Sequence, residues 1–482
     1  MIFFPFSFPS IFTKIIENKH STQTHLRTDD LLNIFNFKLI NIDFNHMIDT
    51  SSSLSFKKIF IFWIPLAATW FMMSIEGPYI AALIARLPEP KFNLAAYGVA
   101  FSFALIIEAP IIMIMSASTA LVKNLQSFNK LRNFTYASNL IITLLMIVLI
   151  VPAVFYFITE DLIGLPPEVS TLTHLATIIL LPWPGAIGYR RFYQGLLIRN
   201  NLTRRVAYGT IIRLVSMSIT AIFFFHFTDV DGVVVGAAAL SVAVTLEALA
   251  SRLTVNEIIR QLKEDSITIE NAKPITYNEI FKFYYPLALT SLIGLGVQPF
   301  VTFFVGQSKM AIESLAVLPV ITSFVFIFRG MGLSFQEVVI ALIGDKKEGY
   351  VPLKKFGIIL GSTLTIVLAL FAFTPLSGFW FKTVSGLSDF LADFAVVPLM
   401  IMAIFPALTV LISTQRGLLV SSKHTKPVTF ATSIEFITIV VVLLFSIHLF
   451  DIIGVIAATA AFVTGRIIAN IYLISPSKSA VK

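Results

Sequence analysis

Six ionisable side chains interrupt stretches of the sequence that are otherwise apolar: Glu108, Arg213, Glu247, Arg329, Glu435 and Arg466. At the centre of a bilayer each costs about 2.5 to 3.5 kcal/mol on insertion scales, so each needs a partner or a task. Their order is systematic. Glu108 and Arg329 are 221 residues apart and opposite in sign, and Arg213 and Glu435 are 222 apart, again reversed. Glu247 and Arg466 correspond within one helical turn, also reversed. Two readings follow. Pairs such as Arg213 with Glu247, or Glu435 with Arg466, would meet the insertion cost with no further role. Alternatively, Arg329 holds an anion, and Glu108 is its partner in the empty state or a protonation site.

Other positions add to this set. Glu337, two turns beyond Arg329, would favour a coupling cation. Glu76 precedes Gly77-Pro78 and Gln298 precedes the equivalent Pro299. A backbone broken at such prolines exposes carbonyls as ligands, whereas the structural alternative is a kink with a snorkelling acid. Pro78 and Pro299 are candidate hinges on the first reading and packing kinks on the second. Arg190, Arg191 and Arg416 fall near helix ends, where they would snorkel to headgroups or form a basic funnel for anions. His226 and His448 read as interfacial and structural.

Enzymatic chemistry has no support. There is no cysteine, which excludes disulfides and thiolate metal sites. Neither G-x-x-x-x-G-K-[ST], H-E-x-x-H nor G-x-S-x-G occurs, so no nucleotide-driven or hydrolytic site, metal or cofactor is expected.

The elements that must position these charges are membrane helices. Of 482 residues, 56% are hydrophobic and 13% charged, with a mean hydropathy of +0.86. Soluble chains carry roughly 25% charged residues. Many apolar runs exceed the roughly 20 residues that cross a bilayer as a helix, and barrel-type alternation is absent. Twelve spans are expected, at 57–85, 94–122, 135–158, 171–197, 206–227, 232–255, 280–304, 314–343, 356–380, 391–416, 427–448 and 453–474. The net charge of +8 reflects basic loops rather than nucleic-acid binding. Lys57, Lys58, Lys123, Lys130, Arg199, Arg205, Lys346, Lys354 and Lys426 lie on one face, and Glu160, Asp161, Asp229 and Asp451 on the other. The positive-inside rule makes the basic face, with both termini, cytoplasmic.

Residues 1–46 carry an apolar run too short to span and preceded by no basic residue, a poor signal peptide. They are expected to be a non-native or disordered extension, and a chain starting at Met47 to insert and work normally. The domain plan is a first bundle at 47–255, a charged cytoplasmic linker at 256–278 and a second bundle at 279–482.

The two bundles are a repeat. IFIFWIPLAAT in the first span matches IFKFYYPLALT in the seventh, pairing Pro65 with Pro286 and Thr69 with Thr290. Pro184 and Gly195-Leu-Leu match Pro406 and Gly417-Leu-Leu, and His226, Asp229 and Gly232 match His448, Asp451 and Gly454. Six spans per unit put both units in the same orientation, with a pseudo-two-fold axis along the membrane normal. This 6+6 plan resembles the multidrug/oligosaccharidyl-lipid/polysaccharide flippase superfamily, which includes MATE exporters and lipid II flippases. F-W-x-P-L-A, F-Y-Y-P-L-A and the stretch AVVPLMIMAIFP leading to GLLVSSKHTKPV resemble the progressive ankylosis protein family. The resemblance covers residues 56–475. It implies an all-α fold of two pseudo-symmetric six-helix bundles around a central cavity, with the first, second, seventh and eighth helices facing it. It also implies export of small anions such as pyrophosphate, citrate or nucleotides; a monomer in the plasma membrane is expected, driven by a proton or sodium gradient or by the substrate's own gradient. On that fold Glu108 and Arg329 are expected to meet across the cleft. A cation-coupled multidrug antiporter and a flippase for a lipid-linked saccharide are the alternatives.

Overall fold

The computed structural model describes residues 54–200, 202–265, 275–344, 346–422, 424 and 426–480. The expectations for residues 1–46 and for Met47 lie outside the described residues. Those residues hold twelve helices long and apolar enough to cross a membrane: α1 (Phe56–Ile84), α2 (Pro90–Glu108), α3 (Leu125–Leu149), α4 (Pro167–Arg199), α5 (Arg205–Phe227), α6 (Gly232–Glu264), α7 (Tyr277–Gly306), α8 (Ala311–Leu342), α9 (Tyr350–Phe373), α10 (Asp389–Ser421), α11 (Lys426–Leu449) and α12 (Gly454–Ser479). The fold is all-α, with no strand among the described residues.

Composition sets which helices face lipid. α3, α5, α9 and α11 turn large apolar residues outward, among them Leu140, Ile219, Ile358 and Ile437. α6 and α12 are instead buried on runs of small residues, Gly236-Ala237-Ala238-Ala239 and Ala457-Ala458, which let neighbouring backbones approach closely. α10 and α12 are joined through Asn470, whose Nδ2 donates to the Leu408 carbonyl at 3.1 Å.

Two helices straddle the halves. The N-terminal end of α1 packs on the second half, with Trp63 Nε1 donating to the Met331 carbonyl at 3.3 Å and its ring against Phe356. Further along, Ile80 and Ile84 lie against Gly236 of α6 in the first half. α7 mirrors this. Tyr284 donates its hydroxyl to the Pro110 carbonyl in the first half, while Phe300 stacks edge-on against Phe436 of α11.

The third and ninth helices start earlier than expected. Asn124 and Ser127 form a reciprocal capping box, so the polar stretch that follows is helical rather than loop. Tyr350–Phe373 likewise takes in Lys354 and Lys355. Breaks also fall elsewhere than at Pro78 and Pro299, which both sit inside unbroken helices. The chain instead breaks α4 at Leu180–Leu181 and α10 at Ala403–Ile404, and turns after Glu108 and at Ser334. The linker begins as the helix Asn256–Asp265, a continuation of α6.

Candidate functional site

In the first half, the break in α4 and the restart at Pro182 present Trp183 to the end of α2. Its indole Nε1 donates to Glu108 Oε2 at 2.5 Å, and both residues are buried. A chain of alternating charges extends from there. Arg213 lies over the Trp183 ring at 5.7 Å, donates to Glu76 Oε2 at 2.6 Å and stands 3.8 Å from Glu247 Oε2. Glu247 accepts from Arg190 on that oxygen and from Gln194 Nε2 on the other at 3.1 Å. Arg191 has Met115 Sδ as its polar contact, at 3.7 Å. Glu76, Glu108 and Glu247 thus match Arg190, Arg191 and Arg213 one for one.

The second half repeats the geometry with other chemistry. Phe405 restarts α10, 222 positions after Trp183, and is 2% exposed. Arg329 lies with its guanidinium 4.5 Å from that ring and 5.9 Å from Phe326, and Arg466 lies 5.0 Å from the Phe405 ring. Where the repeat carries a carboxylate, it supplies an indole N–H. Where it carries a guanidinium, it supplies a π face. Arg466 Nε donates to Glu435 Oε1 at 2.8 Å. Arg416 stands 3.9 Å from Glu435 Oε2 and donates to Thr432 Oγ1 at 3.2 Å. Among the described residues Arg329 has no hydrogen bond or ion pair, and its Nε and that of Arg416 are buried without partners. Three guanidiniums share one carboxylate.

The sequence-derived pairings divide accordingly. Glu435 with Arg466 forms as read. Arg213 reaches Glu247 only at the edge of ion-pair range, because Glu76 is its nearer acid and Arg190 takes Glu247. Glu108 and Arg329 do not meet across a cleft. Glu108 accepts from Trp183 of the first half, while Arg329 lies against Phe326 and Phe405 of the second; each belongs to its own half. The breaks that turn α4 and α10 inward explain this, since they offer each charge an aromatic partner close at hand. Arg190 and Arg416 do not snorkel but turn into the protein towards Glu247 and Glu435. Glu76 is buried against Arg213, with no opened backbone beside it. Gln298 is half-buried without a hydrogen bond among the described residues, and Glu337 is exposed, with no side-chain hydrogen bond or ion pair among them.

Sequence reasoning missed Trp183 and Phe405, which carry no charge. A signal existed: both precede a proline at equivalent positions, Trp183-Pro184 and Phe405-Pro406.

This architecture is shared with membrane proteins of the MOP superfamily. An inward-facing multidrug-resistance MATE family transporter superposes with a TM-score of 0.67 at 14% identity, covering 87% of this chain and 98% of that one. The lipid II flippase MurJ in an inward closed conformation gives 0.66 at 16% identity, covering 86% and 87%. An outward-facing MATE family transporter gives 0.59 at 15% identity, covering 88% and 95%. No protein-family model matches the sequence, and no curated protein does.

Proposed function

We propose that this chain is a secondary-active transporter that exports a small anionic solute by alternating access of its two halves. The observation that carries the reading is the second half's uncompensated charge: Arg329, Arg416 and Arg466 around the single Glu435, with Arg329 held only by aromatic faces. A buried, unpaired guanidinium is costly in a low-dielectric interior, and an arriving anion would relieve that cost. Arg329 is the primary contact, Arg466 and Glu435 form its adjustable counter-pair, and the charge-balanced cluster of the first half, with Glu76, Glu108 and Arg213, carries the coupling cation, a proton or sodium. Gln298 lines the path, Glu337 is a second coupling candidate, and Pro78 and Pro299 provide local give in α1 and α7. The residue patterns of the progressive ankylosis family support pyrophosphate, citrate or a nucleotide as the anion, and a monomer in the plasma membrane with both termini cytoplasmic.

The names of the structural neighbours favour a second reading, a multidrug antiporter or a flippase for a lipid-linked saccharide. One assay separates them. In sealed, ATP-free proteoliposomes, labelled pyrophosphate or citrate is expected to move with the wild-type chain and to fall about tenfold or more with Arg329→Gln, a change worth about 1.4 kcal/mol. Movement of a cationic dye or a lipid-linked sugar, with no anion flux, would overturn the proposal.

A further inference from the structure

On the face opposite the basic loops, the contacts between the halves obey the repeat. Lys91 Nζ of α2 donates to Glu313 Oε1 of α8 at 2.8 Å, and these residues stand one position from repeat equivalence: at the offset of 221 that relates the two helices, Lys91 matches Ile312 and Phe92 matches Glu313. Residues one step from repeat equivalence touch only close to the pseudo-two-fold axis, so this ion pair marks where the axis leaves the protein. The helices carrying it are entered alike: Glu89 and Met310, 221 apart, both take left-handed backbone at φ 49° and 54°, an uncommon conformation for side chains of their kind. Flanking the axis are two more matched contacts. Arg86, beyond the end of α1, donates from Nη2 to the carbonyls of Thr383 and Val384 at 2.7 and 2.8 Å. Gln307, its equivalent after α7, donates from Nε2 to the Leu162 carbonyl at 2.8 Å, and Leu162 is the equivalent of Val384. Each arm grips the π-helical turn ahead of the opposite half's fourth helix, Phe157–Leu162 or Phe379–Val384.

We infer that these contacts are the outer gate of the transporter: a central ion pair, Lys91–Glu313, flanked by two arms, Arg86 and Gln307, which must release together for the outer face to open. The inference rests on the alternating-access reading. The gate is fit to open because its groups are partly exposed; Lys91 and Glu313 keep 35% and 19% of their side-chain surface, and Arg86 and Gln307 are exposed. Water therefore takes over the broken hydrogen bonds, unlike those of the buried charge clusters. The arms are unequal. Arg86 is charged and makes two carbonyl bonds to the opposite half, whereas Gln307 makes one. Below the gate the halves meet again at Ser102 Oγ and Thr302 Oγ1, 2.9 Å apart. Ser102 lies eleven residues along α2 from Lys91, roughly 16 Å deeper at the helical rise, and is buried.

The chain has no cysteine, so Ser102→Cys is a single reporter. In right-side-out vesicles a membrane-impermeant maleimide is expected to label it slowly. Adding Lys91→Gln, Arg86→Gln and Gln307→Ala is expected to raise the rate about tenfold, a population shift within reach of losing a few exposed polar contacts. Exchanging the central charges, with Lys91→Glu and Glu313→Lys, is expected to keep labelling slow. Unchanged labelling in the triple variant, in protein that elutes and melts as the parent does, would overturn the gate while leaving the transport reading intact. Equal acceleration by the charge exchange would overturn the ion pair's role. Faster labelling in the triple variant supports the gate whether or not any tested anion is carried, so the two proposals fail separately.

Discussion

Glu435 is the single carboxylate among three arginines, and Glu247 is one of three acids among three, so the same substitution has different consequences in the two halves. Glu435→Gln leaves Arg466 and Arg416 without their counter-charge, and breaking a buried pair in this way costs about 3 to 5 kcal/mol. Thermal unfolding in detergent should show a clear loss of stability, and added multivalent anion should recover part of it. Trp183→Phe removes the one side-chain donor that Glu108 has among the described residues and should cost about 1 to 3 kcal/mol through the unsatisfied acid. The reciprocal Phe405→Trp is expected to be tolerated less well, because the larger ring must enter a site 2% exposed. The charges themselves were legible in the sequence, since an ionisable residue inside an apolar run needs no structure to be noticed. Their partners were not. Arg190 counted from its helix end looks peripheral, and only the inward turn of α4 shows that it reaches Glu247.

At the scale of elements, close crossings matter more than the prolines that draw the eye. A Cβ on Gly77 would lie 2.7 Å from Ser323 Cβ, where α1 crosses α8 between the halves. Gly77→Val is therefore expected to destabilise the protein by about 1 to 3 kcal/mol, while Gly294→Ala, with nothing within 4 Å of its added carbon, should change unfolding by less than about 1 kcal/mol. Comparing the two melting curves tests whether the α1–α8 crossing is the tight seam. The number of helices and their repeat were readable because hydropathy and a constant offset survive divergence. The start of α3 was not, because its first turns are polar and only its cap identifies them as helix. Equally hidden was the way α1 and α7 lean on both halves, which follows from long-range packing that no local pattern encodes.

For the whole molecule, the basic loops predict one orientation. Epitopes fused at either end should resist external protease in intact cells and become cleavable on permeabilisation; cleavage in intact cells would reverse the assignment. A chain beginning at Met47 should reach the membrane in the same orientation and amount as the longer one.

The Lys91–Glu313 pair carries one more consequence. In a symmetric homodimer, residues beside the two-fold lie near their own copies, so a six-helix unit pairing with itself would bring lysine near lysine or glutamate near glutamate at this spot, with phenylalanine or isoleucine in place of the ion-pair partner. Joining two diverged units in one polypeptide allows attraction where self-association enforces repulsion. Separately expressed halves should therefore assemble as unlike pairs in preference to like ones, and this single position contributes to that choice of partner.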